Sequence, residues 1–95
     1  MEKALVMDGK DNVATAIAGL KTGEVVSVPA DSERLEVKVR ETIRFGHKFA
    51  IRPINKGEDV VKYGESIGRS TSAIDVGKHV HTHNVESMRG RGDLQ

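Results

Sequence analysis

The chain has no cysteine and no tryptophan. Disulfides, thiolate metal sites, a cysteine nucleophile and protein-ligated iron–sulfur clusters are therefore excluded. Aromatic residues number only three, Phe45, Phe49 and Tyr63. With 95 residues and 37% hydrophobic content, that predicts one domain with a small, mainly aliphatic core and no deep private cavity. The start, "MEKALVMDGKDN", lacks the apolar stretch of a signal peptide, and no run approaches a membrane span. The expectation is a cytoplasmic protein with no membrane partner.

Charge is nearly balanced at +1, but unevenly placed. Residues 1–42 carry 6 basic and 8 acidic side chains, and residues 43–95 carry 9 and 6. The mildly cationic second half suits a small anionic ligand. Few aromatics and no basic stripe argue against nucleic acid. No P-loop, dinucleotide fingerprint or zinc-finger spacing is present, and the "RGD" at Arg91–Asp93 is read as chance.

One pattern occurs four times: an aliphatic residue, two variable residues, Gly, two variable residues, an apolar residue. The copies are Leu20–Val26, Ile43–Phe49, Ile54–Val60 and Ile74–Val80. Glycine supplies the positive φ of a tight turn, so each copy predicts a turn feeding a strand. Strands are expected at Ala4–Met7, Val25–Val28, Leu35–Val39, Lys48–Ile51, Val60–Tyr63 and His79–Val85. "KYGESIG" reads as a further hairpin. One small helix is expected, capped by Asp11, with Val13 and Ile17 on one face and Gly19 at its end. Tyr63 is read as a core aromatic with its hydroxyl at the surface. The fold class is mostly β, with a domain over residues 1–86 and a polar tail over 87–95, where Arg89 and Arg91 suit docking on a partner.

The segment "GKHVHTHN" places His79, His81 and His83 at alternate positions. In a strand these rings share one face, with neighbouring Cα atoms about 6–7 Å apart. Two of them can converge on one ion, whereas all three span roughly 13 Å. An exposed histidine-rich strand without a ligand is the plain alternative. His47 and Lys48 follow Gly46 much as Lys78 and His79 follow Gly77, so both pairs are expected to enter strands from turns and to meet at one edge. Lys48 can then hold a carboxylate and His47 can move a proton, or both can merely solvate a turn. Lys62 is a further carboxylate contact or an ordinary strand charge.

"DNVATAI" (Asp11–Ile17), "GHKFAI" (Gly46–Ile51), "VKYGESIG" (Val61–Gly68) and "HVHTHN" (His79–Asn84), in this order, resemble the small SAF-type domain of the altronate and galactarate dehydratase family. That family includes sulfolactate sulfo-lyase. Arg69 departs from the more usual apolar or aromatic residue after "IG". The resemblance implies a β-clip fold and the small subunit, or N-terminal domain, of a metal-assisted sugar-acid hydro-lyase. It implies an active site shared with a large catalytic subunit and a small anionic sugar acid as substrate; a homo-oligomer is also allowed. His47, His81 and His83 are the catalytic candidates, with His81 and His83 as metal ligands. Lys48, Lys62 and Asn84 are the substrate contacts. Nitrogen ligands without thiolates suit Fe²⁺, Mn²⁺ or Zn²⁺, and the resemblance favours Fe²⁺. The rivals are a non-catalytic sugar-acid or anion-binding SAF module and a histidine-based metal-binding accessory protein.

Overall fold

Each of the four repeats forms the same local structure. In the computed structural model, which describes residues 2–30 and 33–87, a backbone hydrogen bond closes each turn. The bonds run from Glu24 N to Lys21 O (3.0 Å), His47 N to Arg44 O (3.0 Å), Glu58 N to Asn55 O (3.0 Å) and Lys78 N to Asp75 O (3.1 Å). Glycine stands third in each turn with φ of 92°, 85°, 88° and 89°, where a type II turn requires a positive value. Each turn is also clasped by a distant strand through a two-way pair of backbone bonds. Gly77 N donates to Ala50 O (2.8 Å) and Ala50 N to Lys78 O (2.9 Å), and the other copies pair likewise with Val39, Ala16 and Ser70. The leading aliphatic residues pair with one another, Leu20 with Ile43 and Ile54 with Ile74.

Among the described residues the turns connect nine antiparallel strands: β1 (Ala4–Leu5), β2 (Val13–Ala16), β3 (Val25–Ala30), β4 (Glu33–Lys38), β5 (Lys48–Ala50), β6 (Asp59–Lys62), β7 (Glu65–Ser70), β8 (His79–Val80) and β9 (Val85–Glu86). A four-stranded sheet in the order β1-β2-β5-β8 is central. Strand alternation divides its residues between two cores. Ala4, Ala14, Ala16 and Phe49 pack with Val26, Val28, Val37 and Val39 of the β3–β4 hairpin. On the other face Val13, Ala50 and Val80 pack with Val60, Ile67 and Val85 of the β6-β7-β9 sheet. Among the described residues no helix is long and apolar enough to cross a membrane.

Two expectations are corrected. The chain is mostly strand, and no helix occurs among the described residues. Asp11 caps nothing; it is buried and accepts backbone N–H bonds from Met7 (3.2 Å), Asp8 (3.1 Å), Tyr63 (3.2 Å) and Gly64 (2.8 Å). Next to it Asn12 accepts from Val61 N (2.8 Å) and donates to Asp59 O (2.9 Å). These long-range bonds and the pairing of Val13–Thr15 with β5 override a weak helical pattern that consists of one apolar pair. Tyr63 is likewise no core residue. It is 61% exposed with φ 58°, because it forms with Gly64 the two-residue loop between β6 and β7. A type I′ loop needs positive φ at both positions, and this turns the ring away from the cores. Phe45 is exposed as well, so Phe49 is the one buried aromatic. Residues 88–95, with the "RGD" tripeptide and most of the expected tail, lie outside the described residues.

Candidate metal centre

The histidines meet across two strands more than along one. In the β5–β8 ladder Lys48 stands opposite Val80 and Phe49 opposite His79. Extending that register by one residue places His47 opposite His81, with His79 on the diagonal. The rings follow: His47 and His81 stack with centroids 4.2 Å apart, and His47 and His79 stack at 5.1 Å. His47 Nδ1 lies 2.9 Å from His79 Nε2. One nitrogen each from His47, His79 and His81 falls within 4.8 Å of the others, and all three side chains are half-buried.

The strand expected over His79–Val85 ends at Val80, and residues 81–84 form a turn. Asn84 builds it. Its Oδ1 accepts from His81 N (3.0 Å), its Nδ2 donates to His79 O (2.8 Å), and its own N–H donates to His81 O (3.1 Å). Asn84 is buried with both ends of its amide engaged in this way. The turn takes His83 out of the alternation. It is exposed, outside the three-nitrogen group, with its ring tilted against His79 at 5.2 Å. The structure thus brings His47 and His81 together with His79, and leaves His83 at the margin.

Electrostatics favour the neutral form of His79 and His81. Burial pushes the His79 pKa below its usual value, helped by His47, His83 and His81 and opposed by Glu41, whose carboxylate accepts the His79 backbone N–H at 3.0 Å. Burial also lowers His81, with His47, Lys48 and His83 adding to the effect. Neutral imidazole is the form that ligates a metal. A nitrogen-only donor set of three, with no thiolate or carboxylate in it, fits one divalent transition ion with further positions open.

Lys48 points to the opposite face of the sheet, where it lines a cavity of about 200 Å³ with Ile67, His81, Thr82, Val85 and Ser87. Burial lowers its pKa first, and the charge of Lys62 lowers it further. Lys62 is half-buried on β6, its Nζ 5.1 Å from the centre of the Tyr63 ring. Lys48 thus adjoins His81 at the cavity both line, and Lys62 lies within electrostatic reach of Lys48. The place of His79 in this cluster is the least visible in sequence. Its signal lay in the repeats, which align Gly46-His47-Lys48 with Gly77-Lys78-His79 and so place both segments at corresponding strand starts.

The family model for the altronate/galactarate dehydratase SAF domain matches residues 2–88. The chain is 44% identical over 77 residues to altronate dehydratase of Escherichia coli (strain K12), covering 81% of this chain and 15% of that protein. It is 31% identical over 87 residues to altronate dehydratase of Bacillus subtilis (strain 168), covering 92% and 17%. To the (2R)-sulfolactate sulfo-lyase subunit alpha of Chromohalobacter salexigens it is 36% identical over 88 residues, covering 90% of this chain and 94% of that subunit. The chain therefore corresponds to a small part of the altronate dehydratases and to nearly all of a sulfo-lyase subunit. It belongs to the altronate/galactarate dehydratase SAF domain family.

Proposed function

We propose that this chain is the small subunit, or the equivalent domain, of a metal-assisted hydro-lyase acting on a sugar acid in the cytoplasm, and that it contributes histidines to an active site shared with a large subunit. The observation that carries the proposal is the convergence of His47, His79 and His81 beside Lys48 in a member of this family. Dehydration of a sugar acid removes the proton α to the carboxylate and expels the β-hydroxyl as water. Negative charge then builds on the carboxylate side.

His47, His79 and His81 would hold a divalent ion, Fe²⁺ by preference and Mn²⁺ or Zn²⁺ otherwise. When bound, the ion supplies Lewis-acid stabilisation of that charge. Asn84 fixes the turn that aims His81. Lys48 and Lys62 attract the substrate's anionic group, and their mutual repulsion makes a dianionic or carboxylate ligand welcome between them. His83, exposed next to His79, would carry a proton. Among the described residues this small β domain supplies imidazoles and ammonium groups but no enclosed pocket. The large subunit must supply the remaining acid–base groups and exclude water.

A sulfo-lyase variant of the same chemistry, expelling bisulfite in place of water, is supported by the match along 94% of a sulfo-lyase subunit. The test is reconstitution with the large subunit. The isolated chain should be inactive, and the assembled enzyme should dehydrate D-altronate or galactarate, or release sulfite from (2R)-sulfolactate. Full activity of the chain alone would overturn the shared site. No turnover of any of the three by the assembled proteins would leave the non-catalytic anion-binding module standing.

A further inference from the structure

Tyr63 has the one left-handed backbone among the described non-glycine residues, φ 58°, and it is 61% exposed. Asparagine or glycine suits this position of a two-residue hairpin loop better than a bulky aromatic. The ring therefore has no conformational advantage here, and most of it lies in solvent. It does have a neighbour: the Lys62 ammonium lies 5.1 Å from its centre, within reach of a cation–π attraction. The loop that carries it is fastened from below. The buried Asp11 carboxylate accepts the N–H groups of both Tyr63 and Gly64 (3.2 and 2.8 Å), and Asn12 binds the preceding β6 backbone at Val61 and Asp59. Four backbone N–H groups from two separate loops converge on this one carboxylate.

We propose that Tyr63, held in its left-handed conformation by Asp11, is a positioning residue whose ring steers the Lys62 ammonium toward the substrate's anionic group. Without the ring, the long Lys62 side chain samples many rotamers, and ordering it on substrate binding costs affinity. With the ring, the ammonium is held near its working position before the substrate arrives. Lys48 lies close enough to feel its charge. The inference rests on the substrate-binding role given to Lys62 above.

The test is a set of variants of the enzyme assembled with its large subunit, assayed with whichever of D-altronate, galactarate and (2R)-sulfolactate it turns over. Tyr63→Asn creates the Asn-Gly pair that type I′ loops prefer, so thermal stability should be equal or higher. Its KM should nevertheless rise about two- to fivefold, the range of an exposed cation–π contact, with kcat unchanged. Tyr63→Phe keeps the ring and should behave as wild type. Lys62→Ala should raise KM at least as much, and adding Tyr63→Asn to it should change nothing further. A silent Tyr63→Asn beside an effective Lys62→Ala would overturn this inference and leave the lysine site intact. Additive effects would show that Tyr63 touches substrate itself, which also overturns it. A Lys62→Ala enzyme with wild-type KM would remove the role of Lys62 and this inference with it.

Discussion

Gly77 and Gly57 occupy the same position in two copies of the repeat, with φ of 89° and 88°, yet their surroundings differ. A Cβ at Gly57 would meet nothing within 4 Å, whereas at Gly77 it would lie 2.0 Å from Lys38 O. Alanine at Gly57 should therefore cost only the left-handed backbone penalty, about 1–2 kcal/mol. Alanine at Gly77 carries that penalty plus a displacement of more than an ångström from a carbonyl oxygen. Such a shift breaks the bonds from Gly77 N to Ala50 O (2.8 Å) and from Arg40 N to Gly77 O (2.9 Å). At about 0.5–1.5 kcal/mol net each, the second variant should lose about 1–3 kcal/mol more than the first. In a domain of this size that is a further fall of at least about 4 °C in melting temperature. Urea and thermal unfolding followed by circular dichroism would measure both. Equal losses would refute the reasoning, because the close approach to Lys38 O would then carry no energetic weight.

Asp11→Asn should cost about 1–3 kcal/mol, since an amide nitrogen must face at least one of the four N–H donors; chemical denaturation showing a loss below about 0.5 kcal/mol would contradict the described role. In the metal-free chain, stability should fall as pH drops below the ordinary histidine value of 6.5. His79 and His81, beside His47, His83, Lys48 and Glu41, are harder to protonate folded than unfolded, so the unfolded chain takes up more protons there. A melting temperature that stays flat or rises from pH 7 to 5 would oppose this. For metal affinity, His79→Ala should cost at least about 100-fold, the upper end for losing even an outer partner, and His83→Ala far less. Titration with Zn²⁺ that finds the reverse order would place the ion at the turn and not between the strands.

What could be read in the sequence was the local part. The four glycine turns follow from backbone sterics within seven residues, and the "KYG" hairpin follows from its loop length. The misreadings have two sources: partners far along the chain at Asp11, and local turns at Tyr63 and at residues 81–84. Asp11 has the look of a helix cap until its partners at Tyr63 and Gly64, more than fifty residues away, are known. Alternation at His79, His81 and His83 suggests one strand face only if the strand continues, and the Asn84 amide bends it after Val80. The nearness of His47 to His79 and His81 depends on the register of two short strands, which spacing within either segment does not encode.

The central claim is that His47, His79 and His81 hold the metal of a lyase site completed by the large subunit. The most direct measurement is metal content and turnover of the assembled enzyme carrying His47→Ala/His79→Ala/His81→Ala, beside wild type. The three rings are only half-buried, so the variant should still fold and bind the large subunit, but lose its transition metal and at least about 100-fold in turnover. Stoichiometric metal with near wild-type turnover in that variant would contradict the account.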